Sequence, residues 1–148
     1  MDLILWRHAE AEPGLPDAER ALTGKGRKQA KRVAGWLKDR LKGRYLLLAS
    51  PTVRTRQTAQ ALTDHFELSE ALAPGSTPRR MLKAAGWPQA DGTVILVGHR
   101  PGLNRLAALL MTGREREWEF KKGGIWWLQN RDDGEPAFVR AVIGPRDL

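Results

Sequence analysis

Cysteine is absent from the 148 residues, which excludes disulfides, thiol nucleophiles and thiolate metal sites. Histidine is scarce: there are 3, and His8, His65 and His99 stand too far apart for a zinc spacing, so no metal or other cofactor is expected. Acids are in deficit, with 17 Asp and Glu against 25 Lys and Arg, a formal net charge of +8. That excess either solubilises the chain or favours acidic partners. No apolar run approaches the ~18 residues that span a bilayer, and no basic, apolar, small-residue leader opens the chain. Without repeats, low-complexity tracts or linker-like shifts in composition, one domain over residues 1–148 is expected, cytoplasmic, with no membrane association.

Against these absences stand short apolar runs that end in chemistry. Leu3-Ile4-Leu5-Trp6 stops at Arg7-His8, Tyr45 to Ala49 stops at Ser50-Pro51-Thr52-Val53-Arg54, and the β-branched run Thr93 to Val97 stops at Gly98-His99-Arg100-Pro101-Gly102. Each reads as a buried strand opening into a loop or helix start. If these strands are parallel and adjacent, Arg7, His8, Arg54 and His99 converge on the strand-end edge where open α/β sheets bind ligands. Two fork-shaped guanidiniums and two imidazoles suit a phosphoryl group.

The stretches LILWRHAEAE (Leu3 to Glu12), LTGKGRKQA (Leu22 to Ala30), SPTVRTRQTA (Ser50 to Ala59), VGHRPGL (Val97 to Leu103) and KGGIWWL (Lys122 to Leu128) occur in this order. In them the chain resembles the histidine phosphatase superfamily, also called phosphoglycerate mutase-like, and within it the small SixA-like phosphohistidine phosphatases. The resemblance implies a three-layer α/β/α sandwich with a mostly parallel central sheet and one antiparallel strand. It also implies a covalent mechanism, with His8 as nucleophile and Arg7, Arg54 and His99 holding the phosphoryl group. Such a cage stabilises the equatorial oxygens without a metal. A neutral His8 nitrogen attacks phosphorus, which requires its other ring nitrogen to donate to a backbone carbonyl.

Departures from the family pattern bear on substrate. Ala9 stands where most members carry Gly, as the SixA-like branch tolerates. Relatives that cleave alcohol esters carry a Glu as general acid between the second and third strands. Here that stretch, Leu68 to Trp87, is short, and Glu67 and Glu70 lie in no matching context. An alkoxide needs a proton to leave, worth on the order of 10² to 10⁴ in rate, whereas a protonated phosphohistidine departs as neutral imidazole. Protein phosphohistidine is the expected substrate, on an acidic histidine-phosphorylated domain. A small-molecule phosphomonoesterase, or a non-catalytic phosphate- or protein-binding module, is the alternative. The chain is expected to be a monomer.

The remaining positions read as follows. Thr23 caps a helix whose Ala30, Val33, Ala34 and Leu37 form the buried face, with Lys25, Arg27, Lys28, Lys31 and Arg32 solvated. A second helix follows Pro51 to about His65 and a third follows Pro101 to about Met111, with their N-termini at the phosphate. Arg54 falls on the first turn and reaches the edge; Arg56 points elsewhere, Thr58 and Ala59 pack inward, and His65 is surface. Arg20, Ser50 and Arg100 are possible substrate contacts, and Glu10 and Glu12 could order the arginines. Of 6 Trp, Trp6, Trp36, Trp126 and Trp127 belong to packed elements, and Trp87 and Trp118 are candidates for exposed aromatics. No alternation of aromatics with bases supports nucleic-acid binding. Ile125 to Gln129 and Ala137 to Ile143 form a hairpin around Asp132-Asp133-Gly134.

Overall fold

The computed structural model describes residues 1–131 and 136–148. Its strands are β1 (Asp2–Arg7), β2 (Tyr45–Ala49), β3 (Glu67–Leu68), β4 (Thr93–Gly98), β5 (Ile125–Gln129) and β6 (Phe138–Ile143), and its helices α1 (Gly24–Arg40), α2 (Val53–Gln60), α3 (Pro78–Ala85) and α4 (Gly102–Thr112). All strands join one sheet in the order β3-β2-β4-β1-β5-β6. β4 pairs in parallel with both β1 and β2, and β5 is antiparallel to its neighbours β1 and β6. Thus β5 is the one strand running against the rest of the described sheet.

Alternation along the central strands builds the layers. Leu3 and Leu5 of β1 with Val94 and Leu96 of β4 pack on Met81, Leu103 and Leu106 of α3 and α4. Ile4, Trp6, Ile95 and Val97 face the other way, onto Val33, Leu37 and Ala59 of α1 and α2. Both faces are therefore covered, which is why these strands read as unbroken apolar runs rather than alternating ones. The result is the expected three-layer α/β/α sandwich.

This layering places the site. β1 and β2 lead into helices on one face, whereas β4, between them, leads into α4 on the other. Connections leaving adjacent strands toward opposite faces open a crevice at the strand ends. Arg7 pairs with Gly98 as the last rung of the β1–β4 ladder, so His8 and His99 are the next residues beyond it.

Several local expectations change. α2 ends at Gln60 rather than near His65. The Leu62 N–H bonds to the Ala59 carbonyl, and the Thr63 hydroxyl accepts from the His65 N–H, a local bond that competes with helix continuation. β3 and α3 were not anticipated within the 67–87 stretch; α3 starts at Pro78 behind the Thr77 cap and stops at left-handed Gly86. Trp87 and Trp118 are half-buried rather than free, and Trp118 stacks on Trp126 with centroids 5.5 Å apart. The turn expected at Asp132-Asp133-Gly134 lies outside the described residues. No helix among the described residues is long and apolar enough to cross a membrane.

Candidate active site

His8 begins where β1 leaves the ladder. Its N–H still donates to the Gly98 carbonyl at 3.1 Å, and its own carbonyl accepts from the Gly123 N–H at 3.0 Å. The Arg7 N–H donates to the Gly124 carbonyl, so the Gly123-Gly124 pair holds both residues from the β5 side. Gly123 sits at φ +72°, and a Cβ there would lie 3.2 Å from Pro145 and 3.3 Å from Gln29; conformation and space both call for glycine. His8 Nδ1 lies 2.7 Å from the Ala9 carbonyl oxygen. The carbonyl can only accept, so Nδ1 carries the proton and Nε2 keeps its lone pair.

The loop after His8 is tied down by α1 and α2. Thr58 Oγ1 accepts from the Ala9 N–H and donates to the Arg54 carbonyl. Gln29 Oε1 accepts from the Glu10 N–H, and Gln57 Oε1 from the Leu22 N–H. Thr23 caps α1 by accepting from the Gly26 N–H at 2.9 Å, and its own N–H donates to the Glu10 carbonyl. A Cβ on Gly26 would lie 2.0 Å from that carbonyl oxygen, so the first turn of α1 can approach the loop only through glycine.

Around His8 the structure brings together Arg7, Arg54 and His99, with Asp17, Arg20, Arg100, Pro74 and Lys122, about a pocket of about 580 Å³. The His8 and His99 rings have centroids 5.2 Å apart. Arg7 Nη1 donates to the Phe120 carbonyl at 2.5 Å. Arg54 donates from Nη1 to the Asp17 carbonyl at 2.9 Å and from Nη2 to Asp17 Oδ2 at 3.0 Å. The Nε–H groups of Arg7 and Arg54 are buried with no partner among the described residues. An unmade hydrogen bond on a buried guanidinium is costly.

Electrostatics keep the imidazoles neutral. Burial pushes His8 down to about 4, and the nearby Arg54, Arg7 and Arg20 add to it, partly offset by the Ala9 carbonyl. Burial likewise pushes His99 down to about 3, helped by His8 and Arg54. Desolvation, with Arg100 beside it, also lowers Arg7. Asp17 is held below the usual carboxylate range first by its hydrogen bond from Arg54. The site near neutral pH therefore holds two neutral imidazoles and one ionised carboxylate beside its arginines.

Of the expected substrate contacts, Arg20 and Arg100 line the pocket and Ser50 does not. Ser50 is fully buried, and its hydroxyl lies 2.8 Å from His99 Nε2, so it braces His99 instead. Glu10 Oε2 accepts from Thr23 Oγ1, and Glu12 meets Arg20 through its backbone carbonyl; neither carboxylate bonds Arg7 or Arg54. Asp17 and Lys122 went unrecognised in the sequence, as did the clamping by Gln57 and Thr58. Asp17 lies 37 positions from Arg54 with no local pattern to mark the pair.

Residues 3–75 match the histidine phosphatase superfamily, branch 1. An uncharacterized protein of Picosynechococcus sp. is 33% identical over 141 residues, covering 88% of this chain and 86% of its own. The chain belongs to the histidine phosphatase superfamily. Its fold is SixA-like. A chain assigned as phosphohistidine phosphatase SixA from Nakamurella multipartita superposes with TM-score 0.83 at 24% identity, over 97% of this chain and 95% of that one. The protein histidine phosphatase SixA complexed with tungstate superposes with TM-score 0.82 at 22% identity, over 99% of both. A phosphoserine phosphatase variant from Entamoeba histolytica, bound to phosphoserine, gives TM-score 0.74 at 17% identity over 99% and 98%.

Proposed function

We propose that this chain is a metal-independent phosphohydrolase that works through a phosphohistidine on His8 and takes protein phosphohistidine as substrate. The observation that carries this reading is the cage: a neutral His8, its Nδ1 committed to the Ala9 carbonyl, lines one pocket with Arg7, Arg54 and His99. Tungstate, which the SixA neighbour binds, is a tetrahedral oxyanion of the kind such a cage would hold.

In the first step the His8 Nε2 lone pair bonds to phosphorus as the P–N bond to the substrate imidazole breaks. That bonding pair returns to the departing nitrogen, and the ring, protonated on its other nitrogen, leaves neutral. Arg7, Arg54 and His99 hold the three equatorial oxygens through the transition state. In the second step a water oxygen attacks phosphorus, the P–Nε2 bond breaks, and its pair returns to His8. The water protons go to phosphate and solvent. Because Nδ1 keeps its proton throughout, His8 also leaves as a neutral ring in this half.

The leaving group follows from the acids. Asp17 is the one carboxylate lining the pocket among the described residues, and Arg54 keeps it ionised, so it holds no proton for an alkoxide. Glu67 is exposed at the β3 edge, and neither it nor Glu70 lines the pocket. A P–N bond to a protonated imidazole needs no such donor.

The test is phosphate release from a histidine-phosphorylated carrier domain, in chelator, by the parent and by His8→Ala. Release by the parent that vanishes in the variant is expected. Equal release by both contradicts His8 as nucleophile; release only from small phosphomonoesters contradicts the substrate.

A further inference from the structure

Beside the phosphate pocket lies a second cleft of about 760 Å³, which shares Arg7 and Arg100 with it, and Lys122 as well. The two pockets therefore adjoin along one strip of cationic side chains. One wall is firm: Trp118 stacks on Trp126, the Trp118 carbonyl accepts from Asn104 Nδ2, and Arg7 holds the Phe120 carbonyl.

The charges in this cleft are unevenly spent. Glu119 pairs with Lys121 at 2.7 Å, and Glu117 pairs with Arg105 at 2.8 Å. Asp147 accepts from the Gly144 N–H, and Glu10 from Thr23. Two of these four acids are thus ion-paired, and Glu10 and Asp147 are hydrogen-bonded to uncharged groups. Lys25, Arg100, Lys122 and Arg146 are exposed and make no ion pair among the described residues. They come from the start of α1, the turn after β4, the strap before β5 and the turn at Pro145–Asp147. Four chain segments thus present free cations to one opening.

We propose that this cleft is the docking site for the carboxylates that surround the phosphorylated histidine of a protein substrate, with Lys25 and Arg146 as its specificity-determining cations. The proposal rests on the phosphohistidine reading above. Exposed cations cost little desolvation and act on encounter and orientation. Lys25 and Arg146 lie outside the phosphate pocket, so they select among substrates without touching the phosphoryl group.

The experiment uses two peptides, each phosphorylated on a single histidine, one flanked by Asp and Glu and the other by Ser and Gln. At low salt the parent turns over the acidic peptide with a KM lower by on the order of tenfold, and added salt removes the difference. The double variant Lys25→Glu, Arg146→Glu loses this preference while its kcat on the neutral peptide stays within about twofold of the parent. Equal KM values in the parent, or a preference that survives in the variant, would overturn the docking site and leave the phosphohistidine reading standing. Turnover of neither peptide by the parent would overturn that reading and the docking site with it.

Discussion

At the residue scale the site depends on keeping imidazoles neutral among arginines. His8 is pushed down to about 4 by burial and by Arg54 and Arg7, so its lone pair is available through the neutral range. Under the proposed mechanism Arg54 clamps the phosphoryl group most strongly in the transition state, so Arg54→Ala should lower kcat by about 10² to 10³, as measured by phosphate release. Asp17 acts on Arg54 rather than on phosphorus. Its carboxylate and carbonyl hold two guanidinium nitrogens, so Asp17→Ala should lower kcat/KM by about tenfold, and Asp17→Asn, which still accepts a hydrogen bond, should recover much of it. A variant Asn no better than Ala would mean that the contact with Arg54 does not matter. Arg7, His8 and His99 were legible because each ends an apolar run. Asp17 was not, because only tertiary approach across 37 positions brings it to Arg54.

Among elements, α2 does more than close the sheet. From its inner side Arg54 meets Asp17, Gln57 meets Leu22 and Thr58 meets Ala9, so one short helix fixes the loop from Ala9 to Leu22 at three points. Periodicity marks Thr58 as inward-facing but cannot say that its hydroxyl caps a backbone N–H; that depends on which loop crosses above it. α1 contributes by closeness. Because a Cβ on Gly26 would reach 2.0 Å from the Glu10 carbonyl oxygen, Gly26→Ala must push the helix start and loop apart. Its stability should fall by about 1 to 3 kcal/mol, and kcat should fall with it, as read by denaturant unfolding and phosphate release. Unchanged stability and rate would show that the contact is slack. The short strand β3 was not readable as a strand because Glu67 and Leu68 are both exposed and give no apolar signal.

For the whole molecule, burying two neutral imidazoles links stability to pH. The unfolded chain takes up protons on histidine near 6.5, whereas folded His8 and His99 do so only near about 4 and about 3. Between those values the unfolded state binds more protons, so the contribution is fully present above about 6.5 and is lost as pH falls toward 4 and below. Denaturant midpoints should drop across that window, and a His8→Asn, His99→Asn variant should drop less. Equal slopes in parent and variant would mean that the imidazoles titrate normally. The layer architecture was legible because strands buried on both faces read as continuous apolar runs, and register then carried the strand-end residues together.

The central claim is that phosphorus passes through His8. The most direct measurement is a rapid acid-free quench of the protein during turnover of a ³²P-labelled histidine-phosphorylated domain, followed by mapping of the label. The account predicts an acid-labile, base-stable phosphoryl group on His8 that forms and decays at rates at or above kcat and is absent from His8→Ala. Turnover at the full rate with no label on His8, or with label on another residue, would contradict it.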